Sequence, residues 1–175
     1  MAQEARDVID HIYLHWTAGH YGQTYDSYHI NIDRDGEVYI TCNGFEEYKS
    51  HTWNRNCCSV GVTLCCACDA EARNGSNAWL GYEPPTPEQI ESMAQVVAIL
   101  ADKFGLPLDS PDYVMTHCEA AFKDGYGPGS GDPETRWDLW YLPDFFGHRG
   151  ELVPGGDLLR GKAAYYQRTW GVQGD

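Results

Sequence analysis

Two histidines follow directly after short apolar segments of the kind that form β-strands. His15 comes after "IYL" at 12–14, and His117 comes after "YVMT" at 113–116. Imidazole is the commonest metal ligand in proteins, and two imidazoles at the ends of neighbouring strands can meet at one point. A single histidine at the rim of a sheet is usually only a polar surface residue. The pair therefore indicates a metal site only if a third ligand joins it.

The segment that follows His117 supplies candidates for the third ligand. It is a glycine-rich stretch, "HCEAAFKDGYGPGSGDPETRWDLW" at 117–140, and it leads to Asp132 in an Asp-Pro pair. Zinc binds two histidines and one carboxylate in open tetrahedral sites that keep one position for water. We predict that His15, His117 and Asp132 bind one zinc ion per chain. Other side chains of the same segment have spacings that would also serve: Cys118, Glu119 and Asp124.

The strands that position these residues can be read from the pattern of apolar residues. Residues 10–16, "DHIYLHW", predict a first strand, and residues 28–41, "YHINIDRDGEVYIT", predict a hairpin that turns at Arg-Asp-Gly. The nearly continuous apolar run "CSVGVTLCC" at 58–66 predicts a central strand covered on both faces. "DYVMTH" at 112–117 predicts a further short strand.

The clearest helix is "TPEQIESMAQVVAILADKFG" at 86–105. Thr86 is a good N-cap, Pro87 suits the first helical position, and Gln89 completes a capping box. Apolar residues recur at helical spacing along the segment, and Gly105 ends it. This pattern predicts an amphipathic helix that covers one face of the sheet.

Two further helices are predicted toward the C-terminus. Residues 132–142 are predicted to begin as a loop and become a short helix, and residues 157–170 form a last helix that an internal glycine weakens. Together the elements predict a single α/β domain, a mixed central β-sheet flanked by helices. Within it, we expect residues 1–143 to carry the site and residues 144–175 to form a helical extension packed on or trailing the domain.

Length, composition and charge limit the class of protein. The chain has 175 residues, of which 42% are hydrophobic, which suits one domain with a real core. The formal net charge of −14 argues against nucleic acid and against anionic membranes as partners. No apolar run is long enough to span a bilayer, and the acidic N-terminus does not look like a secretory signal. We therefore expect the protein to be made in the cytoplasm. We also expect it to be a monomer.

Seven cysteines are present, and five of them crowd into "CCSVGVTLCCAC" at 57–68. Cys65 and Cys68 make one C-x-x-C pair, but no second pair stands at the spacing of a zinc finger. Because this segment also predicts a buried strand, we interpret its thiols as reduced cysteines in or near the core. A disulfide that involves Cys57 or Cys58 is the alternative.

Six sequence blocks, taken in order, resemble those of the zinc-dependent N-acetylmuramoyl-L-alanine amidases, a family that includes phage amidase-type lysozymes and animal peptidoglycan recognition proteins. The resemblance covers roughly residues 9–142, and no block is decisive alone. The blocks are "YLHWTAG", "SYHINIDRDGEVY", "SHTWNRNCCSVGVTL", "TPEQIESMAQVVAIL", "VMTHCE" and "DPETRWDLW".

This resemblance implies a mixed sheet flanked by helices, with zinc at one end of a groove. His15 and His117 align with the two metal-binding histidines, and Asp132 aligns with the third ligand, which is Asp or Cys among members. Tyr28 aligns with a tyrosine beside the metal-bound water in the phage and animal branches. The stretch between the second and third ligands is longer than usual in the family, so Asp124 is the alternative third ligand.

Two positions depart from the family pattern. In another bacterial branch a glutamate on the central strand is the catalytic polar residue, and Thr63 stands at that position here. Catalysis is therefore assigned to Tyr28. Many members carry Lys or Thr two residues before the third ligand, where it stabilises the oxyanion. Ser130 stands there in this chain, and its hydroxyl donates a hydrogen bond without a positive charge.

The block "SHTWNRN" aligns with residues of the family's groove, where His51 is either a substrate contact or a loop-packing residue. Trp137 and Asp138, farther along, are interpreted as residues that pack and cap the predicted short helix. Four residues of the block are predicted to bind substrate: His51, Trp53, Asn54 and Asn56.

The resemblance implies a zinc hydrolase that cleaves the amide bond between N-acetylmuramic acid and L-alanine of peptidoglycan. A phage or prophage endolysin, released from the cytoplasm to act on the bacterial cell wall, is the expected form. Three alternatives stay open. One is a non-catalytic peptidoglycan-binding module, another is a zinc peptidase that cuts within the stem peptide, and the third is an interaction protein that inhibits a partner.

Overall fold

A computed structural model describes residues 9–170 and shows a five-stranded mixed sheet. The strand order is β3-β2-β4-β1-β5, in which β1 pairs parallel with both β4 and β5, and β2 pairs parallel with β4 and antiparallel with β3. This confirms the predicted fold class. The strands are β1 (His11–Trp16), β2 (Ile30–Ile32), β3 (Val38–Ile40), β4 (Ser59–Leu64) and β5 (Val114–Thr116).

The middle strand of the sheet is β4, as its apolar run predicts. Every residue of β4 is buried, because the sheet has cover on both faces. The predicted hairpin is also confirmed, since β2 and β3 pair on either side of a turn in which Gly36 has φ +84°. A β-carbon at Gly36 would lie 3.0 Å from the carbonyl oxygen of Glu88, so the turn packs directly on the first turn of the long helix.

That long helix, α1 (Pro87–Phe104), begins and ends where the sequence predicts. The Thr86 hydroxyl accepts from the Gln89 backbone N–H, and the Gln89 side chain accepts from the Thr86 backbone N–H. The Gln89 amide also donates to carbonyl oxygens of Ile32 and Cys65. The cap therefore anchors the start of α1 to the ends of β2 and β4.

A second helix, α2 (His117–Asp124), starts at the residue that was predicted to end a strand. Thr116 and Glu119 form a capping box, so the chain passes from β5 into α2 without a connecting loop. This short helix is not predicted from the sequence, because the glycine-rich residues 125–131 that follow it are typical of a loop. His117 consequently lies at the first position of α2, immediately beyond the sheet.

Residues 132–142 do not contain the predicted short helix. They form a turn-rich loop that leads into β6 (Tyr141–Asp144), which pairs antiparallel with β7 (Glu151–Pro154). Trp137 packs edge-on against Trp16, with ring centroids 4.8 Å apart, and Leu139 is fully buried at φ +60°. The loop is therefore fixed by its own apolar residues rather than by a helix.

The last helix, α3 (Gly155–Trp170), packs along α1. Its buried Arg160 donates to both carboxylate oxygens of Glu119, at 2.7 and 2.8 Å, and to the carbonyl oxygen of Val114. A β-carbon at Gly156 would lie 2.4 Å from the same Glu119 carboxylate, which explains the glycine there. In this way the C-terminal extension supports the helix that begins with His117. None of the described helices combines the length and apolar character needed to cross a bilayer.

Candidate metal centre and groove

His15 and His117 meet near the carboxyl ends of β1 and β5. Leu14 of β1 lies opposite Thr116 of β5, so the residues that follow them, His15 within β1 and His117 at the start of α2, lie at the same level. The two Nδ1 atoms are 3.1 Å apart, and both side chains are buried. The predicted convergence of the two histidines is therefore present in the structure.

The carboxylate that joins them belongs to Asp138. Its Oδ2 atom lies 3.4 Å from His15 Nδ1 and 3.5 Å from His117 Nδ1, and its side chain is also buried. In a tetrahedral zinc site with bonds of about 2.0–2.1 Å, neighbouring donor atoms are about 3.3–3.4 Å apart. The triangle of donor atoms thus has the size and the chemistry to hold one zinc ion.

The protonation states of His15 and Asp138 also suit the binding of a cation. Burial lowers the pKa of His15 to about 4, although Asp138 opposes the shift. Burial alone would raise the pKa of the Asp138 carboxyl, but His117 and His15 outweigh it and hold the pKa well below its usual range. At neutral pH His15 is neutral and Asp138 is ionised, which are the states that metal ligands require.

Asp132, the predicted third ligand, does not belong to this cluster. It lies in the exposed part of the loop, where its Oδ1 accepts from the Glu134 backbone N–H at 2.8 Å and forms a local turn. The alternative, Asp124, is held in a bidentate pair with the Arg55 guanidinium at 2.7 and 2.9 Å. The geometry therefore favours Asp138 over Asp132 as the third donor, and Asp138 caps no helix, because residues 132–142 form none.

The sequence did contain an indication of Asp138. It stands in "RWDLW", between large apolar residues, in a segment that is otherwise polar. Because Trp137 and Leu139 are drawn into the core, the carboxylate between them is buried as well, and a buried carboxylate needs a cationic or metal partner. The Asp-Pro pair at 132 was a weaker indication, because it is equally typical of an exposed turn.

A chain of hydrogen bonds orients the His15 ring through its Nε2 atom. Its Nε2 atom is 3.2 Å from the Thr52 hydroxyl, which is 2.8 Å from His51 Nδ1, and His51 Nε2 is 3.3 Å from the Ser59 hydroxyl. Such outer partners fix the ring orientation of a metal-binding histidine. His117 lacks this support, because its buried Nε2 has no hydrogen-bond partner in the part of the chain that the structure describes.

Tyr28 and Arg136 line a cleft beside the three donor residues. The Tyr28 ring lies 5.0 Å from the His15 ring, and burial raises the pKa of its hydroxyl well above the usual range. Arg136 stands two residues before Asp138, and its exposed guanidinium contacts Glu134. Ser130, predicted to stabilise an oxyanion, instead accepts from the Asp132 backbone N–H in the exposed loop.

A larger cleft of about 580 Å³ opens from His117. Three of the residues predicted to bind substrate, His51, Trp53 and Asn56, line it, and Trp53 exposes 65% of its surface. The Asn56 side-chain oxygen also accepts from the backbone N–H groups of His51 and Thr52, so this residue holds the loop together. Asn54 is exposed in a left-handed turn at φ +61° and is not among the lining residues.

Tyr126 lines the same cleft and was not predicted. Its ring contacts those of His117 and Trp53, with centroids 6.0 and 5.6 Å away. The side chain is 93% buried, yet its hydroxyl has no hydrogen-bond partner among the described residues. A lone aromatic residue within "DGYGPG" was the available indication.

The fold and the site define a mixed-sheet α/β domain with a buried His-His-Asp constellation at the mouth of a groove. The family model described as N-acetylmuramoyl-L-alanine amidase matches residues 5–133, and the chain belongs to this family. The resemblance seen in the sequence blocks is thereby confirmed. The matched region ends before Asp138, so the third donor is identified by geometry alone.

Solved structures of similar fold include amidases, endolysins and recognition proteins. N-acetylmuramoyl-L-alanine amidase LysC from Clostridium intestinale URNW is 17% identical, with a TM-score of 0.46 over 64% of this chain and 72% of that one. The Ph2119 endolysin from Thermus scotoductus MAT2119 bacteriophage Ph2119 is 18% identical, with a TM-score of 0.46 over 63% and 71%. Drosophila peptidoglycan recognition protein SA is 18% identical, with a TM-score of 0.43 over 63% and 68%. No curated relative matches the chain significantly.

Replacement of Asp138 by asparagine is expected to abolish tight metal binding. Asparagine keeps the size of the side chain but removes its charge, and loss of even an outer partner of a metal ligand costs about 10–100-fold in affinity. We expect zinc affinity to fall by at least about 100-fold in Asp138→Asn. Competition with a chromophoric zinc chelator measures this.

The matched control is Asp132→Asn, six residues earlier in the same loop. It should bind zinc as the wild type does, because its carboxylate accepts from the Glu134 backbone in an exposed turn and lies outside the His-His-Asp cluster. Zinc affinity lost in Asp132→Asn but kept in Asp138→Asn would contradict the geometry and restore the original prediction.

Proposed function

We propose that this protein is a zinc-dependent N-acetylmuramoyl-L-alanine amidase that cleaves the bond between the lactyl group of N-acetylmuramic acid and L-alanine in peptidoglycan. The observation that supports this most is the triangle of His15, His117 and Asp138 beside an open cleft, in a chain of the amidase family. An endolysin that reaches the cell wall after release from the cytoplasm is the biological form we favour.

His15, His117 and Asp138 would hold the zinc ion. When bound, zinc supplies Lewis-acid polarisation of the scissile carbonyl and lowers the pKa of water toward about 7. The protein holds these donor residues in place without a metal, because the Thr52 hydroxyl contacts His15 Nε2 and the apolar neighbours of Asp138 bury its carboxylate. The preformed arrangement reduces the reorganisation that metal binding needs.

Tyr28 is the residue best placed to assist the reaction. Because burial raises the pKa of its hydroxyl, the O–H stays protonated at neutral pH and donates a hydrogen bond. We infer that it donates to the carbonyl oxygen of the scissile amide as negative charge develops there. Arg136, at the other side of the cleft, would add a positive charge where many family members carry lysine. Ser130 has no part in this proposal.

The larger cleft would hold the glycan and the stem peptide. Trp53 offers an exposed indole face of the kind on which sugar rings pack, and it stands next to Tyr126 in the wall of the cleft. The unpaired Tyr126 hydroxyl would donate to a substrate oxygen, because a buried donor without a partner is costly until one arrives. Tyr126 is thus proposed as a positioning residue.

Digestion of purified peptidoglycan by the zinc-loaded full chain tests the function. We expect lactyl-sugar chains without peptide and free stem peptides with a new N-terminal alanine, both identified by mass spectrometry. His117→Ala should release neither product, whereas His148→Ala, in the exposed β6–β7 turn, should act as the wild type does.

Two outcomes of this digestion would refute the proposal. Shortened peptides that remain attached to sugar would show a peptidase that cuts within the stem. Binding to peptidoglycan without any released product, in the zinc-loaded protein, would show a non-catalytic recognition module.

Tyr28→Phe is expected to lower kcat by about 10²–10³-fold, because it removes one donor to the developing oxyanion. Zinc affinity should not change, since the Tyr28 hydroxyl is not among the metal-donor atoms. Steady-state kinetics on a defined muropeptide, together with zinc titration, measure both quantities. The control is Tyr113→Phe, an exposed tyrosine before β5. A kcat equal to that of the wild type in Tyr28→Phe would exclude the proposed role.

Tyr126→Phe should weaken substrate binding without weakening the fold. The loss of one neutral hydrogen bond predicts a KM increase of about 3–10-fold with little change in kcat. Because the hydroxyl is unpaired in the free protein, the variant should be at least as stable to urea as the wild type. Tyr165→Phe, on the exposed side of α3, is the control. Reduced stability with unchanged KM would indicate a purely structural tyrosine.

A further inference from the structure

Three loops meet beyond the ends of β1 and β4, outside the site described above. Gly19, in the loop after β1, forms a parallel bridge with Ala67, in the loop after β4. The Ala67 backbone N–H in turn donates to the carbonyl oxygen of Glu83, in the segment before α1, at 2.7 Å. This backbone pairing brings three side chains of metal-binding type together: His20, Cys68 and Glu83.

The His20 ring lies between the other two side chains and contacts each through a different nitrogen. Glu83 Oε2 lies 2.6 Å from His20 Nδ1, and Glu83 Oε1 accepts from the Tyr21 backbone N–H at 2.9 Å. His20 Nε2 lies 3.8 Å from Cys68 Sγ. Since Glu83 accepts the proton on Nδ1, the lone pair of the ring is on Nε2 and faces the thiol.

The spacing of the His20 and Cys68 donor atoms suits a tetrahedral ion. Zinc bonds of about 2.0–2.1 Å to nitrogen and about 2.3 Å to sulfur place the two donors about 3.6 Å apart. The observed separation of 3.8 Å between His20 Nε2 and Cys68 Sγ is close to that value.

We propose that His20 Nε2 and Cys68 Sγ form a second metal site, which binds zinc or a similar borderline divalent cation. Glu83 holds the His20 ring through Nδ1 as an outer partner and so links the third loop to the site. Solvent completes the coordination, since His20 lies at the surface. The site is distinct from the His15 centre, because it shares no donor residue with it and contains a sulfur ligand.

Local charge supports a cation, because the carboxylates of Asp69 and Glu83 lie close to the Cys68 thiol. A divalent cation would offset the carboxylates and displace the thiol proton to solvent.

Cobalt titration of the metal-free full chain under reducing conditions tests the site. We expect two ions per chain and a thiolate-to-cobalt charge-transfer band in the near ultraviolet. Because the His15 centre offers no sulfur, this band reports a thiolate ligand outside that centre. His117→Ala, which damages the first centre, should keep the band, so the two sites are tested separately.

Variants of the proposed ligands give the decisive comparison. Cys68→Ser should lose the band and one ion per chain, while Cys57→Ser, at an exposed thiol outside the cluster, should keep both. His20→Ala removes an exposed ring, so folding is preserved, and it should weaken cobalt binding at this site by about tenfold or more. No thiolate band in the wild type, or a band unchanged in Cys68→Ser or His20→Ala, would overturn the proposal.

Discussion

The parallel pairing of β1 with β5 is the constraint on which the site depends. It sets His15 and His117 at the same edge of the sheet, although 102 positions separate them in sequence. Both strands are buried, so a slip in register would disrupt the close packing of their side chains and is disfavoured. The sheet therefore fixes the distance between the two imidazole rings of the His-His-Asp cluster.

The third donor is positioned by a different mechanism. Asp138 lies in a loop without regular structure, where the packing of Trp137 on Trp16 and the burial of Leu139 determine its place. The Cys118 backbone N–H, in the first turn of α2, also donates to the Asp138 carbonyl oxygen at 3.3 Å. An ionised carboxylate is costly to bury without a partner. Apolar packing of the loop thus holds the charged Asp138 carboxylate in a buried position, where a cation is needed to balance its charge.

Sequence reasoning predicted the parts of this structure that depend on local pattern. The central strand, the hairpin and α1 with its cap at Thr86 follow from periodicity and capping chemistry, and the two histidines follow from their place after strands. The third ligand could not be found in that way, because the position of Asp138 depends on contacts between distant aromatic residues. Tyr126 was missed for the same reason, since only the folded loop brings its ring against His117.

The C-terminal helix belongs to the same physical unit as the site. Glu119 caps α2, whose first residue is His117, and it also receives the buried Arg160 of α3. A carboxylate paired with a buried guanidinium is expensive to disturb, because either charge left alone would be poorly solvated. A division of the chain after residue 143 would cut through β6 and remove this pair. Residues 155–170 therefore help to hold His117, a proposed metal ligand, in place, although none of them belongs to the His15-His117-Asp138 cluster.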